Sequence, residues 1–178
     1  SEWAQRSMLM AAYAQYRSKD YAEAVASSES YLALHPGGEG AAYAYYLIGI
    51  SHFDQILDVG REQSHSELAL AALSEVVRRY PTSEYARDAS LKVDMVRDQL
   101  AGKEMEIGRY YLKRDHFPAA INRFRVVVED FQTTTHTAEA LHRLVESYLS
   151  LGLTDEAQTA GAILGYNYQS SEWYEDSY

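Results

Sequence analysis

The chain has 178 residues, 47% of them hydrophobic, a formal net charge of −10 and no cysteine. That size and apolar content allow one domain, or an array behaving as one, with a full core. The missing cysteines exclude disulfides and thiolate metal sites, and the acidic balance argues against a nucleic-acid partner, because phosphate binding needs clustered Lys and Arg. No apolar run approaches the length of a bilayer span, and no basic-then-apolar targeting sequence is visible at the start. The charge is uneven: residues 102–143 hold seven Lys/Arg against six Asp/Glu, whereas residues 144–178 hold six Asp/Glu and no Lys or Arg.

Ser1-Glu2-Trp3 reads as the second half of a turn of the form Pro-x-Ser-Glu-aromatic, so the chain is expected to be a fragment that starts within a repeat. A helix is predicted from Trp3 to Tyr16, then a tight turn at Arg17-Ser18-Lys19-Asp20, then a second helix from Asp20 to Leu34. Asp20 with Glu23 three residues later has the pattern of a capping box. Pro36-Gly37-Gly38 ends this pair. The next helix is predicted over Glu39–Leu57, with Gly49 where paired helices come closest, followed by an insertion at 58–64 and a partner helix over Ser64–Arg79.

Thr82-Ser83 is expected to cap one long helix over 83–113. No proline interrupts it, and Gly102 and Gly108 cost only about 1 kcal/mol each relative to alanine. Its apolar residues Ala89, Val93, Val96, Leu100, Ile107 and Tyr111 keep helical spacing. Phe117–Phe131 is its partner, Thr135–Leu151 and Thr154–Tyr166 form the last pair, and Ser171 begins one further, truncated helix.

The second helices open on related words: Asp20-Tyr21-Ala22-Glu23-Ala24, Glu67-Leu68-Ala69, His116-Phe117-Pro118-Ala119-Ala120 and Thr154-Asp155-Glu156-Ala157. Twelve residues beyond each last alanine stand Pro36, Pro81, Gln132 and Gln169, the last three preceded by Tyr80, Phe131 and Tyr168. Self-similarity on this scale marks an all-α array of antiparallel helix pairs, a class that binds other proteins along an extended surface. The repeats are expected at about 2–38, 39–82, 83–133 and 134–170, all within a single domain, with 171–178 opening another helix.

Nothing suggests catalysis. No Gly-rich phosphate loop, nucleophile elbow or Ser-His-Asp arrangement stands out, and the chain is expected not to be an enzyme. His136 and His142 lie six apart and so face different sides of a helix, while His35, His52, His65 and His116 stand singly. With no His-Glu-x-x-His, neither metal nor cofactor is expected. Asp54 and Asp58, at i and i+4, read as a loosened helix end. The tyrosine pairs Tyr45, Tyr46 and Tyr110, Tyr111 fall on first helices. One member of each pair is expected in the core and the other facing a groove, free to stack on a peptide's aromatic residue.

Ile107-Gly108-Arg109-Tyr110-Tyr111 followed by Phe117, Ala120 and Phe124 fits the tetratricopeptide pattern, and Leu144, Tyr148, Gly152 and Ala157 repeat it. Three longer stretches carry a closer resemblance: 42–49 with the insertion Asp58-Val59-Gly60-Arg61, then 78–89, then 100–111 continuing through Ala120-Ile121-Asn122-Arg123-Phe124. On these the chain resembles the BamD family, tetratricopeptide lipoproteins of the bacterial outer-membrane β-barrel assembly machine, in an α-proteobacterial form. The resemblance implies a non-enzymatic scaffold at the periplasmic face of the outer membrane. It implies three kinds of partner: the last POTRA domain of the barrel-forming subunit, accessory lipoproteins, and unfolded outer-membrane proteins ending in an aromatic residue. It places the POTRA contact at Arg123, with Asn122 beside it. It also implies membrane association only through a lipid anchor that this fragment lacks. The alternatives are a generic periplasmic tetratricopeptide adaptor of the cell envelope and a regulatory domain cut from an enzyme.

Overall fold

Apolar residues recurring every three or four positions make helices that must bury one face against another helix. The computed structural model describes residues 1–56 and 63–177. It is all-α, with no strand among the described residues, and chain neighbours pack as pairs. Two compact units divide it, residues 1–96 and 97–178.

The first unit holds α1 (Glu2–Arg17), α2 (Tyr21–Leu34), α3 (Ala41–Phe53), α4 (Ser64–Arg79) and the start of α5 (Ala86–Leu112). Its core gathers Ala12, Leu47, Ile50, Ala69, Leu73, Val76 and Ala89. The second unit holds the rest of α5, then α6 (Phe117–Asp130), α7 (Thr137–Ser150), α8 (Thr154–Asn167) and α9 (Glu172–Asp176). Met105, Ala120, Phe124, Val127, Leu141, Leu144 and Leu164 are central to its core. The expected long helix is present, helical without a break across residues 100–104.

Small residues set how near paired helices come. A Cβ built on Gly49 would lie 2.5 Å from Leu73 Cδ2, and one on Gly108 would strike the Phe124 ring. Between α7 and α8 the fit is looser: a Cβ added to Gly161 would meet Val145 Cγ2 at 3.9 Å, an ordinary van der Waals contact. The four anchoring alanines, Ala24, Ala69, Ala120 and Ala157, are all buried.

The turns repeat as well. Each second helix ends on a residue of similar conformation: His35 (φ −137°, ψ 60°), Tyr80 (−128°, 51°), Phe131 (−125°, 40°) and Tyr168 (−134°, 35°). Three of the first helices end in one hydrogen-bond pattern. After α1, Asp20 N donates to Gln15 O and Lys19 N to Tyr16 O. After α5, His116 N donates to Tyr111 O and Asp115 N to Leu112 O. After α7, Leu153 N donates to Tyr148 O and Gly152 N to Leu149 O. This is the Schellman arrangement, which needs a left-handed residue at the turn. Lys19 (φ 64°), Asp115 (φ 57°) and Gly152 (φ 72°) supply it.

Several expected boundaries shift for physical reasons. The capping box at Asp20 is not formed, and the Asp20 side chain makes no cap hydrogen bond. The Schellman turn holds its ψ at 64°, outside the extended range in which a side chain reaches the second or third amide. Ser171, at ψ 145°, does cap, accepting from Tyr174 N. Thr82-Ser83 does not cap α5. Ala86 N bonds to Ser83 O in a turn, the helix begins at Ala86, and Ser83 Oγ is buried without a hydrogen-bond partner. The third helix is shorter than expected. Gly40 stands at its N-cap, and i→i+3 bonds at Gln55 and Ile56 close it after Phe53. Leu57 and residues 58–62 of the expected insertion lie outside the described residues.

Ala120→Leu forces extra methylenes between α5 and α6 and should cost about 1–3 kcal/mol. Gly152→Val places a β-branched residue in the left-handed region and should cost roughly 1–2 kcal/mol. Thermal unfolding of both variants, read by circular dichroism, checks these values; an unchanged Tm for Ala120→Leu would contradict the close approach at this position.

Candidate functional site

In the first unit, α1, α3 and the turn before α5 carry a wall of tyrosines. Tyr43 and Tyr46 on α3 both lie against Tyr85, with ring centroids 5.0 and 5.1 Å away. The Tyr46 hydroxyl donates to Asp88 at 2.5 Å, and Asp88 is held from the other side by Lys92 at 2.7 Å. The Tyr16 hydroxyl donates to Asp54 at 2.6 Å. Burial, and then donation to Asp88, raises the Tyr46 phenol far above its usual range; burial and Asp54 do the same to Tyr16. Burial disfavours the charge on Asp88, but the hydrogen bonds from Lys92 and Tyr46 outweigh it and hold the carboxyl below its ordinary value. A cleft of about 760 Å³ opens beside this wall, with Leu9, Tyr31, Tyr43, Glu84 and Tyr85 among its lining.

The expected tyrosines divide. Tyr46 belongs to the wall. Tyr45 turns to the end of α4, where Arg79 donates to its hydroxyl at 3.2 Å and has its guanidinium 5.7 Å from the Tyr45 ring centre and 5.5 Å from that of Tyr80. Both Tyr45 and Tyr46 are half-buried. In the second unit Tyr111 packs against the core, while Tyr110 is exposed and meets it edge-on. Tyr43 and Tyr85, which line the cleft, were not singled out by pairing in the sequence. Tyr85 carries a weaker signal, the aromatic that follows Ser83-Glu84 beyond the turn at Pro81, and Tyr43 carries none.

Arg123 and Asn122 lie on α6. Asn122 is exposed, and Arg123 is partly exposed with its Nη1 3.1 Å from Glu104 on α5. Arg125 is a surface group paired with Glu129 four residues on, at 2.7 Å. A larger network, with no local pattern in the residues to announce it, joins α5 and α7. Arg109 on α5 grips both oxygens of the buried Glu139 on α7, at 2.8 and 2.6 Å. Arg143 lies 3.4 Å from the same carboxylate and 2.8 Å from Glu146, with its guanidinium 5.2 Å from the centre of the Trp173 ring. Burial opposes the charge on Glu139, yet Arg109 and Arg143 together hold its pKa below the ordinary value.

The histidines correct one reading and leave another in place. His52 and His65, read as isolated, are brought together by α3 and α4 with their Nδ1 atoms 3.0 Å apart. His142 Nδ1 lies 2.7 Å from Ser177 Oγ, on the far side of its helix from His136 beside Asp98. Among the described residues no group of three or more His, Asp or Glu is arranged to hold a metal ion. Nor is any described helix long and apolar enough to cross a membrane.

The sequence model of the family described as "YfiO: Outer membrane lipoprotein" matches residues 1–163. An outer membrane protein assembly factor BamD of Caulobacter vibrioides is 56% identical over 178 residues, covering 100% of this chain and 58% of that protein. The protein of the same name from Rickettsia prowazekii is 47% identical, covering 100% of this chain and 71% of its own length. That of Neisseria meningitidis serogroup A is 32% identical over 181 residues, covering 96% and 68%. The chain thus spans little more than half of the Caulobacter relative.

Because Glu139 has a lowered pKa in the folded chain, its contribution is complete above the unfolded value of about 4.3 and is lost as pH falls through the folded value. Glu139→Gln should therefore cost stability at pH 7, by about 1–3 kcal/mol, and cost less as pH falls below about 4. Urea unfolding of both proteins between pH 7 and pH 3 measures this; a pH-independent difference would remove the charge from the account.

Proposed function

Because the chain belongs to the YfiO family of outer membrane lipoproteins, we propose that it is a non-enzymatic scaffold of outer-membrane protein assembly, working at the periplasmic face of the outer membrane. The observation that carries this reading is the 56% identity, over all 178 residues, to an outer membrane protein assembly factor. The paired-helix fold supports it, since repeats of this kind present long surfaces for docking. Its partners are the POTRA domain of the barrel-forming subunit, accessory lipoproteins and unfolded outer-membrane proteins. A lipid anchor outside this sequence would supply membrane attachment.

The POTRA contact is assigned to Arg123 with Asn122. Arg123 is partly exposed and already oriented by Glu104, so an incoming carboxylate meets a guanidinium whose rotamer is fixed, which lowers the ordering cost of docking. Arg123→Glu should weaken binding of the purified POTRA domain by at least about tenfold at moderate salt, and Arg125→Glu far less. Arg123→Ala, measured beside it, separates loss of the partner from repulsion against Glu104. Equal affinity of Arg123→Glu and the parent in calorimetric titration would remove the site assignment.

Clients are assigned to the tyrosine wall, with Tyr46, Tyr43 and Tyr85 receiving the aromatic end of the chain. Tyr45, Tyr110 and Tyr111 remain secondary candidates for such contacts. A peptide ending in phenylalanine should bind more tightly than the same peptide ending in alanine, by about 0.5–1.5 kcal/mol beyond the lost area. Fluorescence anisotropy with both peptides decides; equal affinities would return these tyrosines to packing alone.

A further inference from the structure

Among the described residues, one close pair of imidazoles stands out, where α3 ends and α4 begins. His52 is in the last turn of α3 and His65 in the first turn of α4, with 3.0 Å between their Nδ1 atoms and 5.3 Å between ring centres. In the metal-free chain one Nδ1–H donates to the other Nδ1. Both rings are half-buried, so their positions are set by packing. At a metal–nitrogen distance of about 2.05 Å, a 3.0 Å separation corresponds to an N–metal–N angle of about 94°. That suits two adjacent positions of a tetragonal or square-planar cation and falls short of the tetrahedral angle zinc prefers.

We propose that His52 and His65 form a two-histidine site for a tetragonal divalent cation of the Cu²⁺ and Ni²⁺ class, with water completing the coordination. The neutral imidazole is the ligating form, and the two Nδ1 atoms already lie within the span of a single metal ion. The carboxylate of Glu29 on α2 favours positive charge at His52 and so also favours a bound cation. Glu29 is exposed. On metal binding the ring that carried Nδ1–H would take up the Nε2–H tautomer, so that both Nδ1 lone pairs face the cation and the two helices are joined through it. With two protein donors, binding is expected to be reversible and limited to one equivalent, stronger for Cu²⁺ than for Ni²⁺ and weaker for Zn²⁺, in the order of intrinsic affinities for such ligands.

The test uses the chain as it stands. Ni²⁺ is titrated into ¹⁵N-labelled protein at pH 7.5 while the six imidazoles are followed by NMR. Broadening at substoichiometric Ni²⁺, confined to the side chains of His52 and His65, supports the site and needs no variant. Cu²⁺ binding by His52→Ala and His65→Ala, measured against glycine as competitor, should be at least tenfold weaker than in the parent, and the electron paramagnetic resonance of the parent should show two coupled nitrogens. Circular dichroism confirms that each variant is folded. Absence of broadening, broadening centred on other histidines, or equal Cu²⁺ affinity in folded variants would each overturn the proposal.

Discussion

Two helices of a pair can approach only as closely as the bulk between them allows, and the positions of the turns and of the next helix follow from that distance. In this chain the limit is set by a residue with no side chain facing a large one: Gly49 against Leu73, and Gly108 against Phe124. Interiors are packed at crystal-like density, so at these two positions an added methyl group has no room.

The backbone turns give the same spacing a second support. A left-handed residue closes α1, α5 and α7 in one pattern, and the chain enters the next helix through Asp20, His116 or Leu153 at nearly the same angles. None of these three side chains caps its helix. Once the turn has fixed the backbone, the entering position no longer depends on an oxygen-bearing side chain, and a leucine there serves as well as an aspartate. A pattern based on caps therefore misreads these turns, while one based on the following alanine finds them.

Much of the fold could be read from the residues because it rests on local rules. The alanines at 24, 69, 120 and 157 and the residues ending the second helices at 35, 80, 131 and 168 keep the same intervals of 45, 51 and 37. The long α5 was legible from the absence of proline and the persistence of its apolar stripe. The candidate site was legible only in part. Arg109 meets Glu139 thirty residues on, and His52 meets His65 across the connection between two helices. Pairs of this kind depend on how far apart two helices settle and leave no local pattern. Tyr45 and Tyr46 are neighbours in sequence, yet adjacent helical residues diverge by about 100°, which takes one to Arg79 and the other to Asp88.

The phenols of the first unit carry one more implication. The hydroxyls of Tyr16 and Tyr46 donate to Asp54 and Asp88, and burial together with those carboxylates favours the protonated phenol in each. At these two positions the wall has no hydroxyl proton left to offer a visitor. What it presents is ring surface, which attracts any flat or bulky apolar group and is indifferent to the order of the polar residues around it. A surface of that kind sorts by contour. On the proposed client reading, such a surface would accept many unrelated sequences sharing a single aromatic feature and would be poorly suited to telling them apart.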